Sequence, residues 1–180
     1  MRYDPLVSKQ FWSFLVVGVA LVAVLVAGIF YVQRGAHVEL KGRILKVRSA
    51  ALDESSSIAV IDFRFVNPSN YPFVVREVAV TVEDANGEIL EGAVVSEPDT
   101  KRVFQYYPVL GQKFNESLLI RTRIAARQSM DRMSAARFEV PEGRLLTRKA
   151  IRIRVEDVDG AVSEIVEEGN RGAAEDAEKP

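Results

Sequence analysis

The chain contains no cysteine, which excludes disulfides, thiol nucleophiles and cysteine-ligated zinc or iron–sulfur centres. A single histidine, His37, is too few for a histidine-based triad or metal cluster. Excess charge of either sign is also missing. Lys and Arg number 24 against 25 Asp and Glu, a formal net charge of -1, so nothing in bulk draws the chain to nucleic acid and no such partner is expected. Gly-x-Ser-x-Gly, Walker and Rossmann glycine patterns are absent, and Ser55-Ser56-Ser57 lies beside Asp53 and Glu54 without a base. The expectation is a non-enzyme with no catalytic residue, cofactor or metal.

Charge is missing locally as well, from all 22 positions of residues 11–32. As an α-helix this run rises ~33 Å, close to the ~30 Å hydrocarbon core of a bilayer. A cleavable signal peptide has a shorter apolar region ending in small residues, whereas here Ile29, Phe30 and Tyr31 continue it. Trp12 and Tyr31 suit the aromatic belts at the two interfaces, and Lys9 and Arg34 bracket the run. The reading is a short flank (1–10), an uncleaved transmembrane helix (11–32) and a linker (33–37). A short basic leader ahead of one span is the layout of a signal anchor, which places the following domain outside the cytoplasm, in the periplasm if the source is bacterial. Ala20, Ala23, Ala27 and Gly28 put small side chains on part of the helix, but no Gly-x-x-x-Gly pair accompanies them. His37, just past the span, reads as a polar linker residue.

From Val38 the apolar period becomes 2. Ala59, Ile61, Phe63 and Phe65 alternate with Asp62 and Arg64, as in a strand with one buried face. The pattern recurs in Val74, Val78, Val80 and Val82, in Leu118, Ile120 and Ile124, and in Ile151, Ile153 and Val155. Further strands are expected over 38–48, with a β-bulge at Gly42, and over 88–95, 101–107 and 161–166. Asn86-Gly87 and Asp159-Gly160 mark hairpin turns, and two prolines make 67–72 an exposed corner. The acids at the two hairpins lack EF-hand spacing, so turn chemistry accounts for them better than calcium does. Met130, Met133 and Ala136 recur every three residues and suggest a short helix over 128–137 that plugs one end of the fold. The domain is bounded at 38–166, and residues 167–180 are too polar to bury anything and are expected to form a disordered acidic tail.

Seven or eight short strands spaced by turns define an all-β fold, an antiparallel β-sandwich of immunoglobulin or fibronectin-III type. The run Phe63-Arg64-Phe65-Val66-Asn67-Pro68-Ser69-Asn70-Tyr71-Pro72, with the strand that follows and the hairpin at Asn86-Gly87-Glu88, resembles the type-2 late embryogenesis abundant proteins, or water-stress and hypersensitive response domain, over about residues 58–92. That resemblance implies a fibronectin-III-like sandwich, often behind one membrane helix, with roles in stress tolerance or membrane-associated interaction and no established catalysis. The second half of the chain follows no part of the family's pattern.

Two surface features stand out as candidate partner-binding sites. If the strands holding Arg121 and Arg123 and Arg152 and Arg154 pair, their guanidinium groups form a basic face able to meet an acidic protein or anionic lipid headgroups; a solvated sheet face is the plainer reading. Tyr106 and Tyr107 fall on an expected edge strand, where a partner strand could add. The function that emerges is a single-pass membrane-anchored β-sandwich with a non-catalytic binding or envelope-structural role and an unidentified protein partner. The alternative is an accessory or assembly subunit of a larger membrane complex.

Overall fold

The computed structural model describes residues 9–33 and 39–168, with side chains of the first helix described over 12–28. The chain divides into two compact units at His37 and Val38. His37, the linker from 34 and the tail from 169 lie outside the described residues.

The first unit is α1 (Lys9–Gln33), 25 residues rich in Val, Leu and Ala with no proline to interrupt the backbone ladder. Every described side chain along it is exposed, including Trp12, Phe14 and Val24. Over the residues whose side chains are described, no helix is long and apolar enough to cross a membrane. Positions 12–28 are fewer than the ~20 that a span needs. The helix expected over 11–32 is therefore present, but its crossing of a bilayer is not shown.

The second unit is an antiparallel sheet of eight strands, curled into a nearly closed sandwich. Its strands are β1 (Lys41–Ala51), β2 (Ser57–Val66), β3 (Phe73–Glu83), β4 (Ile89–Val94), β5 (Arg123–Ile124), β6 (Ser129–Phe138), β7 (Ala150–Asp157) and β8 (Val162–Glu168), in the order β1-β2-β6-β4-β3-β7-β8, with β5 on β3. Strand β4 joins the two layers. It pairs with β3 through Leu90 and Gly92, then leaves to pair with β6 through Ala93 and Val94. Gly92 makes the crossing possible, since a Cβ there would lie 2.6 Å from the Phe138 ring. The two outer strands meet without a ladder: the Leu40 N–H donates to Ser163 Oγ at 2.8 Å.

The main core fills the space between the layers and holds Phe63, Phe65, Phe73, Phe138, Ile151, Ile153 and Ile165. A smaller cluster of Ile58, Val60, Leu110, Met133 and Ala135 lies on the other face of β2 and β6. It is covered by α2 (Glu97–Tyr106) and a 3-10 turn at Pro108–Leu110. Strand β2 is thus buried on both faces along most of its length, and Asp62, expected on a solvated face, is buried.

Several expected elements are corrected. The helix expected over 128–137 is instead strand β6 from Ser129 on: Met130 packs on the main core and Met133 on the smaller cluster, so the three-residue recurrence joined residues of opposite faces. Residues 101–107 belong mostly to α2, not to an edge strand. Ser96 caps it by accepting the Asp99 N–H, Pro98 sits in its first turn, and Glu97 and Asp99 face its positive end. Only Arg123 and Ile124 of the expected strand over 118–124 pair as strand, because the chain turns where Thr122 N–H bonds the Leu119 carbonyl. The β1 bulge lies between Ile44 and Lys46, three residues past Gly42, and leaves Leu45 exposed. A second bulge, between Val75 and Glu77, shifts β3 so that Val75, not Val74, shares the buried face with Val80 and Val82. Glu167 and Glu168, assigned to the tail, continue β8 opposite Ile151 and Ala150. The hairpins stand as expected, with Gly87 at φ 86° and Gly160 at φ 84°.

Candidate functional site

The four arginines do not assemble into one face. Strand β7 pairs with β3 and β8, and β5 pairs with β3, so no ladder brings Arg121 and Arg123 beside Arg152 and Arg154. Along β3, Arg123 stands opposite Val74 and Arg154 opposite Ala79, about 17 Å apart at ~3.3 Å per residue. Arg152 is held by acids: Glu83 accepts from it at 3.0 Å and Glu164 lies 3.7 Å away. Arg76 pairs with Glu156 at 3.2 Å. The outer face of β3, β7 and β8 is therefore a lattice of alternating charge and not a basic platform.

Tyr106 and Tyr107 sit at the end of α2. Tyr106 is 77% exposed, while Tyr107 packs against the smaller cluster. A stretch of edge open to strand addition lies on β3 instead. Its pairing with β4 begins at Val80, and on the same side Val75 is met by Arg121 and Thr122, so residues 77–79 have a strand neighbour only in β7. Beside that stretch opens an apolar groove of about 500 Å³, lined chiefly by Val78, Val94, Leu118, Leu119 and Ile120. Ile120 is 65% exposed. The sequence did not mark this groove, because it arises where β4 changes partners.

The segment carrying α2 is pinned by a buried polar hub that sequence reading missed. Arg48 donates to the carbonyls of Leu110 (2.6 Å) and Gln112 (2.7 Å) and to Asp62 Oδ2 (2.6 Å). Asn115 donates to the other Asp62 oxygen at 2.9 Å. The rings of Phe104 and Phe114 lie 5.0 and 5.6 Å from the guanidinium carbon. This joins β1 and β2 to residues far along the chain and leaves no free base or nucleophile.

The displaced carboxyl groups also have structural causes. Asp53 is lowered to about 2 by the Ser56 hydroxyl, the Ser55 N–H and hydroxyl, and the Ser56 N–H, all donors within its own loop. Asp84 lies below its ordinary value because Arg144 bonds it, with the Glu88 and Asn86 N–H groups adding to the effect. Burial pushes Glu97 up, but its contacts with Ser117 and Lys113 outweigh that and hold it low. Hydrogen bonding from Arg64 lowers Asp131. These shifts favour the charged, hydrogen-bonded form in turns and ion pairs; Glu97 lines the groove, but Ser117 and Lys113 hold it as a paired carboxylate. Among the described residues, no group of three His, Asp or Glu side chains could hold a metal.

The fold thus defines an antiparallel β-sandwich domain, nearly closed, with an apolar surface groove beside β3. No known family profile matches the chain, and no curated protein matches it. Among solved structures it is similar to an uncharacterized β-sandwich protein from Clostridium difficile 630, at 8% identity and a TM-score of 0.36 over 71% of this chain and 85% of that one. It is similar also to the archaellum periplasmic stator protein FlaG from Sulfolobus acidocaldarius, at 8% identity and a TM-score of 0.31 over 71% and 99%. The Iho670 flagellar-like filament aligns at 10% identity and a TM-score of 0.30 over 90% and 98%.

Proposed function

We propose that the chain is a membrane-anchored β-sandwich module with a non-catalytic binding role, its domain held outside the cytoplasm by α1. The observation that carries this reading is the helix itself: every described side chain from Trp12 to Gly28 is exposed, and most are large and apolar. Such a surface left in water forgoes roughly 25 cal/mol for each Å² of apolar area, a cost that hydrocarbon removes. The sandwich, by contrast, buries its apolar residues in two clusters and balances its charged outer face, so it has no need of lipid to fold. The type-2 late embryogenesis abundant resemblance and a fibronectin-III-like sandwich fit this reading. The groove beside residues 77–79 of β3 suits an extended partner segment that continues the sheet and places apolar side chains against Leu119 and Ile120.

The test is alkaline extraction of membranes holding the full chain. The protein is expected to stay in the membrane fraction, and a variant lacking residues 1–34 is expected to be released as a folded domain. Release of the full chain by alkali would overturn the anchor.

A further inference from the structure

The two ends of the sandwich differ in charge. One end is built from the start of β1, the corner between β2 and β3, the turns around β5 and the β7–β8 hairpin, joined by the pairs Lys41 with Val66, Val66 with Ser129 and Val74 with Arg123. It carries Lys41, Arg43, Arg121, Arg123 and Arg127, all exposed. None of these five makes a close ion pair among the described residues, though the Arg43 charge acts on Asp131 from further off; the Arg127 side chain donates to Asn70 at 3.1 Å and its N–H to the Ser69 carbonyl at 3.2 Å. The acids of this end are largely engaged: Asp131 is bound by Arg64, and buried Asp157 accepts the N–H groups of Val74 and Val158, leaving Glu39 and Asp159. Tyr71 and Val158 stand exposed among the cations at 63% and 52%. The opposite end carries Asp53, Glu54, Asp84, Glu88, Glu139 and Glu142, against Arg144, which pairs with Asp84 and Glu88, and Lys149 beside Gly87.

Two of the cations sit in unusual backbone. Arg121 (φ 68°) and Arg127 (φ 60°) adopt the left-handed conformation that glycine or asparagine takes more readily. Both turns expose a guanidinium where the backbone alone favours glycine.

We infer that this basic end of the sandwich docks on an anionic lipid surface, its arginines and lysine on the headgroup phosphates and Tyr71 at the interface. Charge complementarity supplies the attraction, and aromatic side chains favour that depth. The inference rests on the anchor reading, because β1, the first strand after α1 in the chain, starts at this end.

Since the chain has no cysteine, a single Ala126→Cys substitution in the exposed turn beside Arg127 accepts one nitroxide label, and Ala85→Cys in the far hairpin gives the control. The full chain is reconstituted into vesicles of phosphatidylcholine alone or with phosphatidylglycerol. At position 126 the label is expected to gain contact with lipid-dissolved oxygen in the phosphatidylglycerol vesicles only, and to lose it in 0.5 M salt, at roughly a 4 Å screening length; at 85 it stays in water throughout. If the chain floats with both kinds of vesicle and the 126 label remains in water, lipid docking is overturned while the anchor stands. Flotation with the anionic vesicles alone supports docking without the anchor, and flotation with neither overturns both.

Discussion

Arg48 shows how much of this domain depends on one side chain. Its side chain is 7% exposed, and its guanidinium shares the Asp62 carboxylate with Asn115 and fixes the backbone at Leu110 and Gln112. Removing one partner of a buried pair leaves the other charge uncompensated, at a cost of about 3–5 kcal/mol, whereas apolar replacement of both is often far less costly. Arg48→Ala is therefore expected to lower unfolding free energy by roughly that amount, and Arg48→Met with Asp62→Leu to lower it less, as measured in denaturant. Nothing in the sequence marked Arg48, because its burial depends on residues more than 60 positions away in the chain. Asp53 is the opposite case, a contact within four residues. Its folded pKa of about 2 lies below the ~3.9 of an unfolded aspartate. The stabilisation it gives is complete above that unfolded value and is lost as pH falls toward 2. Carboxyl NMR titration should find the Asp53 midpoint near 2, and Ser56→Ala should raise it; a midpoint near 4 in the unaltered chain would contradict the loop geometry.

At the scale of elements, legibility followed alternation. Strands with one solvated face, such as β7 and β8, alternate visibly in the sequence and were located there. Strand β6 was not, because Met130, Met133 and Ala136 recur at a three-residue spacing that imitates a helix, although Met133 lies on the opposite face from the other two. The helix α2 was legible in principle, since Ser96-Glu97-Pro98-Asp99 carries cap, proline and acids in helix-start order; the aromatic run after it dominated the reading. Ser96→Ala is expected to cost about 1 kcal/mol, measured as a drop in thermal midpoint, because the Asp99 N–H loses its acceptor. The basic pair divided in the same way. Arg152 and Arg154 stand on the expected strand, but Arg121 and Arg123 fall in and beside a turn that strand periodicity cannot show.

The whole domain depends on two junctions that local pattern does not encode: the passage of β4 between layers and the seam where β1 meets β8. At the seam a Cβ on Gly42 would overlap the Arg64 carbonyl and lie 2.5 Å from Ile165 Cδ1. Gly42→Ala is therefore expected to cost about 1–3 kcal/mol, the usual penalty for overpacking. The seam also bears on independence from α1. Both apolar clusters draw only on residues 40–165, and the Leu40 N–H is satisfied by Ser163, so the start of the domain is tied down within the domain itself. A fragment of residues 39–168 is thus expected to fold as a soluble, strand-rich monomer whose unfolding free energy lies within about 1 kcal/mol of the same domain in the detergent-solubilised full chain. Circular dichroism and denaturant unfolding test this together. A fragment that is helical, or that gains its strands only when α1 is restored, would show that the helix contributes to the fold and does more than anchor it.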